Sequence, residues 1–117
     1  MNIVEQFETV SNGNEYTPHK IFKGVSLKHL VKGDMSEGRI SSHLVKVEPF
    51  CSLDDHAHSE QYEIHEVIQG TGECLIDGEK LQYTPGTVAV IPQNTNHSVK
   101  AGEKGLYILA KFAPALL

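Results

Sequence analysis

The chain lacks most of the features that advertise a function outright. No apolar run approaches the roughly 20 residues a membrane-spanning helix needs. No basic block occurs: ten Lys and Arg stand against fifteen Asp and Glu, for a formal charge of −5. Nucleic acid and anionic membranes are therefore not expected partners. Cysteine is scarce. Cys51 and Cys74 make neither a disulfide framework nor a Cys-x-x-Cys pair, and read as reduced, partly buried small side chains. No glycine-rich phosphate loop opens a helix, since Gly70-Thr71-Gly72 reads as a hairpin turn with no helix after it. Ser41, Ser59, Ser98 and Cys51 have no spacing to a base that suggests a nucleophile triad. The opening segment carries Glu5 and Glu8 where a secretory signal needs an apolar stretch, so a cytoplasmic protein is expected. Nothing reads as a long amphipathic helix.

What is present is a single domain with a β signature. At 117 residues, 39% of them hydrophobic and 21% charged, the chain is too apolar for disorder and long enough for one core. Ser41, His43, Val45 and Val47 alternate with Ser42, Leu44 and Lys46, the period of a strand with one buried face. Further short strands are expected near Ile21–Leu30, over Glu63–Ile68, Glu73–Ile76, Glu79–Tyr83 and Thr87–Ile91, and over His97–Lys100 and Leu106–Phe112. Asp77-Gly78 between two alternating runs predicts a two-residue hairpin. Asn12-Gly13, Gly33-Asp34, Pro85-Gly86, Pro92–Asn96 and the Ala101–Gly105 loop are the other expected turns. Many short strands at even spacing predict an all-β antiparallel sandwich or barrel.

Seven histidines occur, at positions 19, 29, 43, 56, 58, 65 and 97. The pair His56-Ala57-His58 is weak evidence alone, but Glu63 follows after four residues and His97 stands just past the Pro92–Asn96 turn. Histidines at i and i+2 of an extended segment point to one face and can reach one ion. Strands of a small barrel can aim side chains from their ends at a common point. Three neutral imidazoles and a carboxylate suit Fe, Mn, Ni, Cu, Zn or Co. Glu60 competes as the carboxylate.

The stretch His56-x-His58-x4-Glu63-x6-Gly70 resembles the first motif of the cupin superfamily, and Gly86-x5-Pro92-x-Asn94-x2-His97 resembles the second. The spacing to Gly70 selects Glu63 over Glu60. The resemblance implies a small jelly-roll barrel (a double-stranded β-helix) over residues 40–112, with His56, His58, Glu63 and His97 as metal ligands. It also implies a homodimer, for which strands within residues 1–32 would supply the interface. Three positions depart from the family pattern, none of them a ligand. Phe50 and Asn94 stand where Gly is usual, and Ala101 where Asn often ends the second motif. Asn tolerates the left-handed conformation, so the turn is expected to survive. Phe50 bears on the shape of the pocket mouth.

His65 should share the inward face of Glu63, and His43 that of Val45 and Val47. Each is either an acid/base group beside the metal or a buried neutral histidine satisfied by a hydrogen bond. His65 is the leading acid/base candidate, and His43 a candidate for the cavity lining. His19 and His29 read as surface residues, Tyr62 and Tyr83 as outward or packing residues. Phe50, Tyr107 and Phe112 read as core or cavity wall.

Four protein ligands on a six-coordinate ion leave two positions open, as chemistry on a bound small molecule requires. The resemblance therefore implies a metalloenzyme of dioxygenase, lyase or isomerase type, acting on a small oxygen-containing metabolite. Two other readings stay open: a non-catalytic barrel that binds a sugar or metabolite with a structural metal or none, and a redox or sensory accessory protein.

Overall fold

A computed structural model describes residues 2–10 and 15–117. Among them run one α-helix, α1 (Ile3–Val10), and eight strands: β1 (Thr17–Pro18), β2 (Val25–Val31), β3 (Ser41–Val47), β4 (Ser52–His56), β5 (Tyr62–Ile76), β6 (Glu79–Tyr83), β7 (Val88–Ile91) and β8 (His97–Ala113). All pairing is antiparallel. The turn expected at Asn12-Gly13 lies outside the described residues.

Two long strands organise the barrel. The first half of β5 pairs with β7 and with the second half of β8, which continues through β3 and β2 to β1. The second half of β5 pairs with β6 and with the first half of β8, which also carries β4. β5 and β8 thus pass from one sheet to the other, and the two sheets enclose a core that includes Val47, Val67, Tyr83, Val99, Leu106 and Ile108.

That passage corrects two expected breaks. Gly70-Thr71-Gly72 is a bend inside β5, and Ala101–Gly105 lies inside β8. The register between them shifts at Val67/Gln69 and Gly70/Gly72, so the ladder bulges as it turns the corner. A Cβ at Gly70 would run into the carbonyl oxygen of Gly105, and one at Gly72 into that of Lys100. The glycines permit a close crossing of two strands, which in a sequence looks like a turn.

The remaining turns follow the sequence. Ile76 pairs with Glu79 across Asp77-Gly78, whose φ angles of 49° and 83° make the two-residue hairpin. Asn94 takes the expected left-handed conformation, at φ 57°. β4 was not among the expected strands, and Gly33-Asp34 opens a short 3-10 turn.

The chain's first element is a helix, where strands were expected. The Asn2 side-chain oxygen accepts the Glu5 amide hydrogen at 2.8 Å, an N-cap. Lys28, Leu44, Leu109 and Glu66 form one row across the outer face of β2, β3, β8 and β5. α1 touches β5, and the Lys28 ammonium donates to the Glu8 carbonyl at 2.6 Å, so the helix spans that row. Val4, Leu44 and Leu109 are all buried. Eight residues are too few for a convincing helical period, which is why the sequence alone did not reveal it.

Candidate metal centre

His56 ends β4, His58 follows in the next loop, Glu63 lies near the start of β5 and His97 opens β8. Pairing of His56 with His97 across β4 and β8 and of Glu63 with Phe112 across β5 and β8 draws these ends together. One ring nitrogen from each of His56, His58 and His97 lies within 4.8 Å of the others. Oε1 of Glu63 is 3.2 Å from His97 Nε2 and 3.7 Å from His58 Nε2. Glu60 is exposed.

Backbone carbonyls orient two of the rings. His56 Nδ1–H donates to the Asp54 carbonyl at 2.7 Å, and His97 Nδ1–H donates to that of Thr95 at 3.0 Å. Each contact assigns the proton to Nδ1 and turns Nε2 toward the cluster, the arrangement metal-binding histidines favour.

Glu63 is 5% exposed. Burial alone would raise its pKa, but the pull of His65, which donates to it, and of His97 beside it wins and holds it below the usual carboxylate range. For His97, burial opposes ionisation, while Glu63 and the Thr95 carbonyl favour it and raise the pKa on balance. Burial lowers the pKa of His56 and His58, which favours the neutral, ligating form.

The two carboxylate oxygens of Glu63 have different surroundings. Oε2 accepts the Nε2–H of His65 at 2.6 Å. Oε1 is buried and has no hydrogen-bond partner. His65 in turn meets the Tyr83 hydroxyl through Nδ1 at 2.8 Å. With the Nε2–H of His65 given to Glu63, Nδ1 is left to accept the Tyr83 O–H. Cys74 bonds to Tyr83 behind it. Tyr83 is fully buried and is a functional residue that the sequence reading missed. Its neighbour two residues back, Leu81, is 40% exposed, so the alternation of β6 gave no inward signal.

The cluster opens into a cavity of about 80 Å³. Val45, Val99, Ile108 and Phe112 are among its walls, and His19 and Leu116 also line it. His19 was expected at the surface. It instead stacks on Phe22 with ring centres 4.7 Å apart, while Nδ1 accepts the amide hydrogens of Ile21 and Phe22.

His43 lies behind Phe112 and is not among the lining residues. It is fully buried, with Nε2 2.9 Å from the Ser41 hydroxyl and Nδ1 2.8 Å from Nδ1 of His29. Burial, then the neighbouring His29, push its pKa down to about 4. His29 is accordingly half-buried and bonded, where a surface residue was expected. Phe50 is 67% exposed and away from the cavity. Tyr107 lies on the outer face near Lys46, and Phe112 alone of the three expected aromatics is a cavity wall.

Residues 43–110 match the family model of the cupin domain. The chain belongs to the cupin family. Solved structures agree on the fold. KdgF from Halomonas sp. is 24% identical with a TM-score of 0.75, over 86% of this chain and 86% of that one. A predicted oxalate decarboxylase from Thermotoga maritima is 23% identical with a TM-score of 0.77, over 86% and 91%. The polyketide cyclase RemF from Streptomyces resistomycificus is 19% identical with a TM-score of 0.75, over 89% and 75%. Among curated proteins, none matches the chain. Among the described residues, no helix is long and apolar enough to cross a membrane.

Proposed function

We propose that His56, His58, Glu63 and His97 hold one divalent transition-metal ion, from among Fe, Mn, Ni, Zn, Cu and Co, beside which a small oxygen-containing metabolite reacts. The observation that carries this reading is Oε1 of Glu63, buried without a partner and facing ring nitrogens. A buried carboxylate oxygen with nothing to bind is costly, and a cation shared with three imidazoles removes that cost. When bound, the ion supplies electrophilic polarisation of an oxygen donor at its open positions.

The chain's own residues do the rest. The Asp54 and Thr95 carbonyls hold two rings in register, and the apolar walls keep bulk water out. Both nitrogens of His65 are engaged, by Glu63 and Tyr83. We therefore assign His65 to positioning Glu63, and any proton it moves travels along those two contacts. Chemistry of dioxygenase, lyase or isomerase type fits such a site. The names of two structural neighbours, a predicted oxalate decarboxylase and a polyketide cyclase, support small-molecule chemistry.

A second reading, a non-catalytic binding barrel with a structural metal or none, is favoured by that same engagement of His65, which leaves it no free nitrogen for a ligand. The homodimer is also carried forward, with the strands within residues 1–32, β1 and β2, as its interface. A 12.9 kDa species in light scattering, unchanged on dilution, would remove the dimer.

Elemental analysis of untagged protein purified without chelator, beside His97→Ala, tests the metal reading. Near-stoichiometric metal in the parent and its loss in the variant are expected. Equal metal content in both would refute the ligand assignment.

A further inference from the structure

The cavity has few kinds of polar group in its lining. Of its fourteen lining residues, five are histidines, one is Glu63, and the other eight are apolar, Leu27, Val45, Leu53, Ile108, Phe112 and Leu116 among them. No lysine lines it, and neither does Arg39, the chain's single arginine. Serine, threonine, asparagine, glutamine and tyrosine are equally absent from the lining among the described residues.

The polar groups that do line it are largely committed. His56 and His97 each use one ring nitrogen on a carbonyl, His65 uses both, and His19 uses Nδ1 on two backbone amides. A ligand carrying a second charge or several hydroxyls would have to give up its hydration there without compensation. The space is also small. At about 80 Å³ it is roughly half the 150 Å³ of an engineered apolar cavity that takes up benzene.

We infer that the site takes a small ligand that presents oxygen donors to the metal and is otherwise uncharged and apolar, which excludes sugars, polyols and dicarboxylates. This rests on the metal reading above. A divalent cation held beside the one negative side chain, Glu63, would keep a single net positive charge, enough to neutralise one anionic head group. Nothing in the lining can neutralise a second.

Leu116 sets the selectivity at the segment 114–117. Its backbone N–H donates to the buried Ser41 hydroxyl at 2.9 Å, and the flanking Ala115 N–H donates to the Gly38 carbonyl at 3.0 Å. The backbone is thus held independently of the side chain that lines the cavity. A substitution at Leu116 changes the lining without removing these bonds.

The test uses cobalt(II)-loaded protein and three hydroxamates with one shared metal-binding head, read by visible absorption of the cobalt. Butyrohydroxamate should bind more tightly than acetohydroxamate, by about fourfold for each added methylene that is buried. The monohydroxamate of malonic acid, similar in size to butyrohydroxamate but ending in a carboxylate, should bind at least about tenfold more weakly than butyrohydroxamate. In Leu116→Lys the preference should narrow, with the acid-ended ligand gaining and the alkyl ligand losing affinity. Equal affinity of the acid-ended and alkyl ligands on normally loaded protein overturns this inference while the metal reading stands. An unchanged preference in Leu116→Lys overturns the role of Leu116. Failure of cobalt to bind overturns the metal reading, and the inference with it.

Discussion

Glu63 and His65 stand two residues apart on one face of β5, and the Nε2–H of His65 reaches Oε2 of Glu63 at 2.6 Å inside the barrel. The contact occupies one carboxylate oxygen and leaves the other bare. It also fixes the proton on His65, which in turn sets the direction of the bond from Tyr83. A strand period of two places both groups, and burial makes the pair consequential.

Removing His65 should loosen the carboxylate without dismantling the histidine cluster. His65→Ala is expected to keep the fold and lower metal affinity by about 10–100-fold, the usual effect of losing a partner of a metal ligand. Metal titration of the variant checks this. Unchanged affinity would leave His65 without a positioning role, and complete loss of metal would make it a ligand.

Tyr83→Phe takes away a hydroxyl that serves His65 and Cys74 in a fully buried place. The variant should lose about 1–3 kcal/mol of stability, because buried partners are left unsatisfied. Urea denaturation measures it. A smaller change than about 0.5 kcal/mol would mean that the hydroxyl contributes nothing as a bridge.

His43 should make the metal-free protein sensitive to mild acid. Its pKa in the fold is about 4 against an ordinary 6.5, with His29 on β2 lowering it and Glu63 on β5 raising it. A folded value below the unfolded one means that the unfolded chain binds the proton first as pH falls. Stability is therefore intact above about pH 6.5 and declines toward pH 4, by roughly 3 kcal/mol from this group. His43→Gln, which keeps an amide for Ser41, should show a shallower decline over that window. Identical slopes in the two proteins would assign the acid sensitivity elsewhere.

Three glycines separate a corner from a turn. Gly70→Ala and Gly72→Ala each drive a Cβ into a backbone oxygen and should cost more than about 3 kcal/mol, because backbone on both strands must move. Gly78→Ala meets open space and should cost only about 1–2 kcal/mol, for its left-handed conformation. Similar losses at all three would argue against the corner.

That contrast explains what the sequence could reveal. Ser41–Val47 was legible because its alternation reports one buried face, and Asp77-Gly78 because its chemistry belongs to hairpins. The four candidate ligands were legible as a motif in the strict sense of spacing. Gly70–Gly72 was not, since glycine marks a turn and a crossing alike and only the partner strand distinguishes them. Tyr83 and the His29–His43 pair were hidden for a related reason. Their roles depend on side chains that approach from distant positions, and no local pattern encodes those contacts. Helix α1 was missed because it is short and stabilised by the row of residues it covers.

Phe50 illustrates a departure from the family pattern with a local cost. It sits at φ 61° and is 67% exposed, so it gains little burial to offset a conformation that glycine adopts freely. Phe50→Gly should raise stability by about 0.5–1 kcal/mol. A lower melting temperature for the variant would show that the ring makes compensating contacts.

X-ray absorption at the metal edge of the loaded protein tests the central claim most directly, because it counts the ligands. Three imidazole rings and a carboxylate oxygen are expected in the parent, and one ring fewer in His97→Ala once that weakened site is loaded at saturating metal. Two or fewer imidazoles in the parent, or a spectrum that His97→Ala leaves unchanged, would contradict it.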